Sequence, residues 1–349
     1  MFRLIIPPLF LLACSDQKEI KGLCIVNETG VSLNHNIDVN EAPDSVPTVR
    51  SAAAYNVIME GGLTYAQGLC YAGGDNSEQS APTDLIVDAF VPDNNEESRP
   101  AVVLIHGGGF NGGDRFHEHI VDMAHHFTER GFVAFSIDYR KKDDFGSVPD
   151  EWVDKAEEMA AAGELASKND LLKIYPAIRD AKAALRWVAA NAGYFKINPD
   201  YISVGGGSAG ATSAIGVAIT AAEDYRDEID LENDSTLATT NLEQAFAIQS
   251  VLDFWGGLAA LNLIEGMYGH QRFDSNAPPI LIVHGTEDPT VPFSEAEELK
   301  ANYDELSIPY AYHPLEGKGH GPWQETVNGQ SLSALAFDFM VAQQGLGLE

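Results

Sequence analysis

Ile202-Ser203-Val204-Gly205-Gly206-Gly207-Ser208-Ala209-Gly210 sets a serine between a β-branched run and residues 211–222, a stretch with few turn signals that reads as helix. Glycines stand two positions before and two positions after the serine. A strand-to-helix turn this tight has no room for side chains there, because they would collide with the neighbouring strand and helix. The strain lifts the Ser208 hydroxyl clear of the backbone, and the helix start offers N–H groups to a developing negative charge. Glycine-rich strand ends are common, so the meaning of this pentapeptide depends on what the rest of the chain supplies.

Upstream, Ala101-Val102-Val103-Leu104-Ile105 is a continuous apolar run closed by glycines, the pattern of a strand buried on both faces. Residues 116–130 read as a helix closed by Gly131, and 132–137 as the next buried strand. Pro176 opens a helix whose Ile178, Ala181, Leu185 and Val188 share one face, ending near Gly193. Ile202–Val204, Ala245–Ile248, Ile280–Val283 and Pro309–Tyr312 follow as strands, and 331–343 as a closing helix. Nearer the start, 55–57 and 63–66 flank Gly61-Gly62 as a hairpin, and Leu85-Ile86-Val87 begins another strand stopped by Pro92. Alternating strands and helices predict an α/β fold, a mostly parallel sheet covered on both faces. Residues 143–173 and the acidic stretch 223–243 interrupt the alternation. The first is read as a partial cap over the site, carrying Phe145, Trp152 and Met159, with a surface excursion as the alternative.

His106-Gly107-Gly108-Gly109-Phe110 ends the 101–105 strand. Bunched glycines let backbone N–H groups point into a cavity, and each such donor stabilises an acyl-transfer oxyanion by about 3 kcal/mol. A nucleotide phosphate loop of the GxxxxGK[ST] kind does not fit, since no Lys-Ser/Thr follows. Serine needs a base. Of the 10 histidines, His320 in Gly317-Lys318-Gly319-His320-Gly321 lies on a loop after the last expected strand, where it can reach across the sheet top. His117, His119, His125 and His126 belong to a helix surface, and His106 to the glycine loop. The orienting carboxylate is Asp288, at the mouth of the loop after 280–283, with Glu287 and then Asp253 as rivals.

Together the elbow, the His106–Phe110 loop and the segment His284-Gly285-Thr286-Glu287-Asp288-Pro289-Thr290-Val291-Pro292 resemble the α/β-hydrolase family, with Ser, Asp and His in that chain order. Asp138-Tyr139-Arg140 and Ala183-Ala184-Leu185-Arg186-Trp187 are similar to its carboxylesterases. The resemblance runs from Leu85 to the C-terminus. It implies the α/β-hydrolase fold, hydrolysis of small or polymeric esters through an acyl-enzyme on Ser208, and no metal or organic cofactor. It also implies oxyanion donors at the N–H groups of Gly108, Gly109 and Ala209. Gly207 departs from the Glu or Asp that many members carry before the serine. Phe110, Trp255 and Trp323 lie close enough to the motifs to be substrate-pocket candidates. Polysaccharide acetyl or feruloyl ester cleavage, polyester depolymerisation and formamidase-type amide hydrolysis stay open. The rival from another class is a non-catalytic surface binding protein on the same fold.

A formal charge of −31 argues against nucleic acid or anionic membrane as a direct partner and for a heavily hydrated surface. Residues 1–13 read as an export signal: Arg3, an apolar run from Leu4 to Leu12, then Ala13 before Cys14. The Leu-x-Ala-Cys ending resembles the bacterial lipobox, which implies cleavage before Cys14 and its lipidation. By the same likeness Ser15 favours outer-membrane delivery, with a periplasmic or extracellular protein as the broader expectation. Residues 14–50 form a tether and arm ahead of a domain over 51–349. Of the 3 cysteines, Cys24 and Cys70 remain as an even pair, read as a disulfide or as two separate buried thiols.

Overall fold

The computed structural model describes residues 45–71, 80–142, 147–163 and 167–349. Cys14, Cys24, Phe145 and the proposed leader lie outside them. Eight strands form the central sheet: β1 Val57–Tyr71, β2 Ser80–Pro92, β3 Arg99–Ile105, β4 Val133–Ile137, β5 Ile197–Gly207, β6 Ser250–Phe254, β7 Ile280–Gly285 and β8 Tyr310–Leu315. Their spatial order is β1-β2-β4-β3-β5-β6-β7-β8. β2 alone runs opposite to the other seven strands.

The helices used below are α1 Glu118–Thr128, α2 Asp150–Ala161, α3 Ile174–Ala190, α4 Ala209–Ile219, α5 Ala259–Tyr268, α6 Phe293–Leu306 and α7 Leu332–Gln344. Two apolar cores lie on the two faces of the sheet. Val103, Ile105, Phe135, Val204 and Ile282 pack toward α3 and α4. Val102, Leu104, Leu252, Phe254 and Val283 pack toward α1 and α7. Successive side chains alternate faces, so covering both faces turns an alternating strand into the continuous apolar run seen at 101–105.

Two expected strands are corrected. The pair 55–57 and 63–66 is one strand, not a hairpin: Glu60 pairs with Ala89 and Leu63 with Val87, a bulge at Gly61-Gly62. Gly62 takes φ 74°, which glycine adopts without strain, and its N–H donates to the Asp88 carboxylate at 2.7 Å. Ala245–Ile248 is irregular, and the strand is Ser250–Phe254. Its polar members disguised it in the sequence. Ser250 is buried because its hydroxyl bonds Ser203 Oγ at 2.8 Å, with Gln344 donating to Ser203 at 2.6 Å. The long helix α3 begins at Ile174, two residues before Pro176, since first-turn N–H groups have no partner within a helix to lose. Residues 223–243 are turns with a 3₁₀ helix at Ser235–Thr239.

In the 143–173 segment, Trp152 on α2 is fully buried, edge-on to Tyr175 at 5.1 Å, with its indole N–H donating to Tyr268 at 3.2 Å. It is a docking anchor and not a pocket residue. At the end of the segment, Lys173 Nζ reaches Asn111 of the glycine loop at 3.1 Å.

Arg140, just after β4, ties the end of that strand to α3 and β1. It makes 2.7 and 3.0 Å hydrogen bonds to the Asp180 carboxylate, and both side chains are buried. A Cβ on Gly68 would come within 2.6 Å of Arg140 Nε, so β1 carries glycine where the guanidinium passes. Removing one partner of a buried pair leaves the other charge uncompensated. Arg140→Leu is expected to lower the unfolding free energy by about 3–5 kcal/mol. Urea denaturation checks this, and the double variant with Asp180→Leu should recover most of the loss.

Candidate active site

Ser208 takes φ 56° and ψ −123° at the junction of β5 and α4. This left-handed backbone is disfavoured for a residue with a side chain and is held by its surroundings: the Ser208 N–H donates to Phe254 O at 2.9 Å. A Cβ on Gly206 or on Gly210 would overlap the carbonyl oxygen of Ile105. Both glycines are thus set by the close passage of the elbow past the end of β3.

Ser208 Oγ lies 2.8 Å from His320 Nε2. His320 Nδ1 lies 2.7 Å from Asp288 Oδ2. The other Asp288 oxygen accepts from the N–H groups of Thr290 (2.8 Å) and Val291 (3.0 Å). With Nδ1–H donating to the carboxylate, Nε2 is left to accept from the serine hydroxyl. Glu287 is exposed, and Asp253 is an interior residue of β6, so neither rival carboxylate meets His320.

His284 is a residue the sequence reading left without a role. It is fully buried behind Asp288, its Nε2 3.0 Å from Val291 O and 3.4 Å from Asp288 Oδ2. Burial pushes its pKa down, so it stays neutral and donates from Nε2. Its position four residues before Asp288, in the same strand-end loop, was the available signal.

The glycine loop lies against the elbow: a Cβ on Gly107 would come within 2.8 Å of Gly207 O. Gly108 (φ 118°) and Gly109 (φ 62°) are both in the positive-φ region. Ala209 is the first residue of α4, where an N–H has no in-helix acceptor. His106 holds the loop from beneath. Its Nδ1 lies 2.6 Å from Gly107 O, its ring stacks on Tyr139 at 4.4 Å, and Tyr139 O–H donates to His106 O at 3.0 Å. Burial lowers the His106 pKa to about 4, so it is neutral and donates to Gly107. Arg115 braces the far side of the loop through Asp88 (2.9 Å) and Asp138 (2.6 Å).

Of the pocket candidates, Phe110 and Trp255 are 7% and 1% exposed and pack into the cores. Trp323 is half-buried. It packs edge-on against Trp255 at 4.6 Å and stacks on His119 at 5.4 Å. A Cβ on Gly207 would overlap the Trp323 ring. That explains the missing acidic residue before Ser208: the indole occupies the space a side chain would take.

A family model designated BD-FAE matches residues 87–154 and 171–272, a span that holds the glycine loop and the elbow. Structures of Thermogutta terrifontis esterase 2 are similar over most of the chain. The form phosphorylated by paraoxon has a TM-score of 0.54 at 22% identity, covering 79% of this chain and 94% of that one. The apo form gives 0.53 at 22% identity with the same coverage. The fold is that of the α/β-hydrolases. Among curated proteins, esterase LipQ of Mycobacterium tuberculosis is 30% identical over 186 residues, 47% of this chain and 43% of its own length. The probable carboxylic ester hydrolase LipM of the same organism is 26% identical over 218 residues, 56% of this chain and 43% of its own. The chain spans less than half the length of these curated relatives.

Gly207→Asp forces a side chain into the Trp323 ring and should destabilise the protein, whereas the same change in a Trp323→Ala background should be tolerated; thermal midpoints of the four proteins report the coupling. Asp253 is fully buried, and one of its oxygens has no hydrogen-bond partner. Burial raises its pKa to about 7. The unfolded chain releases this proton near pH 4 and the native protein only near 7, so the group costs stability progressively across that window. Asp253→Asn should therefore be more stable than the parent at pH 8, by a margin that shrinks toward pH 4 in urea titrations.

Proposed function

We propose that this chain is a serine carboxylesterase. The observation that carries the reading is the unbroken hydrogen-bonded chain Asp288–His320–Ser208 ending beside the glycine loop. Ser208 Oγ attacks the ester carbonyl as His320 Nε2 takes its proton, and the Asp288 carboxylate stabilises the imidazolium. The N–H groups of Gly108, Gly109 and Ala209 receive the oxyanion. His320 then delivers the proton to the departing alcohol oxygen. A water molecule, deprotonated by the same histidine, attacks the acyl carbonyl and frees Ser208 with release of the carboxylic acid.

The relatives named as esterases support the same chemistry, and the fold likeness supports the scaffold on which it runs. The described part of the cap segment, residues 147–163 and 167–173, is proposed to wall the alcohol or acyl side of the site, on the strength of the Lys173–Asn111 contact. Trp323 is proposed as the aromatic surface that substrate meets next to the nucleophile.

Export and lipid anchoring at Cys14 complete the proposal, resting on the Leu-x-Ala-Cys run alone. One or two acyl chains can hold an acidic domain near a membrane whose lipids repel it.

Ser208→Ala should reduce p-nitrophenyl ester hydrolysis by a factor on the order of 10⁶ without moving the thermal midpoint. Paraoxon should add one phosphoryl group to the parent and none to the variant, a readout that a non-catalytic binding protein on this fold would not give. For the leader, intact mass of protein recovered from bacterial membranes should show a chain beginning at an acylated Cys14; an unmodified cysteine in the mature protein overturns the anchor.

A further inference from the structure

At the end of α4 remote from Ser208 the surface opens into a cleft of about 450 Å³. The helix has 11 residues, so the two sites stand roughly 16 Å apart along its axis. Lys182 and Arg186, one turn apart on α3, and Arg226 line the cleft. In a chain of net charge −31, this concentration of positive charge needs a reason.

The lysine is committed to the protein. Lys182 is 1% exposed, and its ammonium donates to Ala221 O at 2.5 Å and to Asp224 O at 2.8 Å. Arg226 is forked onto Asp227 at 2.5 and 2.7 Å. Arg186 differs from both. It is 2% exposed, and its Nε donates to Thr240 O at 2.7 Å. Among the described residues its two terminal guanidinium nitrogens have no hydrogen-bond or ion-pair partner, and the side chain lines the cleft. The carboxylates nearby are already engaged: Asp224 by Arg272 at 2.8 Å, and Glu228 by Tyr175 at 2.9 Å. Desolvation and the like charges of Arg226 and Arg179 lower the Arg186 pKa to about 10. The guanidinium is largely desolvated with its fork on the cleft, so an anion delivered there gains charge-assisted hydrogen bonds.

We propose that this cleft is a second ligand site, binding a small organic carboxylate. Its two oxygens take the paired terminal N–H groups of Arg186, and its apolar body rests on Val217, Phe246, Ile248 and Pro278. The fork matches a planar carboxylate in bidentate geometry. With Lys182 and Arg226 committed elsewhere, a single cationic edge is available, which suits a monoanion better than phosphate. Glu243, exposed at the rim, is the one carboxylate lining the opening and works against the ligand. The inference uses none of the catalytic residues and stands independently of the esterase reading.

The test is isothermal calorimetry and thermal unfolding with sodium isobutyrate as the probe, against sodium chloride and inorganic phosphate at equal ionic strength. Isobutyrate is expected to bind and raise the midpoint where chloride and phosphate do not. Arg186→Lys keeps the charge but loses the fork, and should weaken binding about tenfold or more while ester turnover is retained. Should that variant fail to fold, Glu243→Gln, a surface change, should tighten isobutyrate about twofold by removing a repelling charge. No binding by the parent, stabilisation by phosphate alone, or an affinity unchanged by both substitutions overturns the site.

Discussion

The carbonyl oxygen of Ile105, at the end of β3, lies against the turn that carries Ser208, and much of the active-site geometry follows from that close approach. It excludes a Cβ at both Gly206 and Gly210. It also brings the glycine loop, which continues directly from Ile105, alongside the elbow, with Gly107 against Gly207. The strained backbone at Ser208 is thereby locked between two adjacent parallel strands and cannot relax without separating them. Ser208 and the glycine loop are held in place by the sheet itself.

Around this junction, buried polar groups do positioning work at successive distances. The Thr290 and Val291 N–H groups and His284 fix the Asp288 carboxylate. His106 and Tyr139 support the glycine loop, and the Arg115–Asp88–Asp138 network braces its far side. Each of these groups has at least one partner at short range in a low-dielectric setting, where buried polarity helps to rigidify a site. Asp253 and Arg186 differ from them in lying away from the site. The first leaves one oxygen unpaired within the sheet, and the second holds Thr240 O through Nε and turns its terminal nitrogens to a cleft. One is a strain the fold carries, and the other faces a space that a ligand can fill.

Strands buried on both faces were legible because their apolar runs are continuous, as at 101–105 and 280–283. Reading failed where pairing with distant residues decided the outcome. Gly61-Gly62 looks like a hairpin turn, and only the register of β1 against β2 shows a bulge. Ser250 and Asp253 look unlike strand residues until Ser203 and Gly256 are seen to bond them. For Trp152 and Trp255 the sequence left cap or pocket wall and core open, and burial places both side chains in the cores.

By itself, the sequence determined the residue types the chemistry needs and their order: a glycine-flanked serine, then a carboxylate after one buried strand, then a histidine on the loop after the next strand. Those are local patterns, set by turn sterics and by which strand ends open onto the same edge of a parallel sheet. The tertiary structure alone decided how Asp288, His320 and Ser208 meet in space, why Trp323 requires glycine at 207, and that Arg186 turns its fork to a cleft. Such facts depend on contacts between residues from about 30 to more than 100 positions apart, and no local pattern encodes where two distant side chains come to rest.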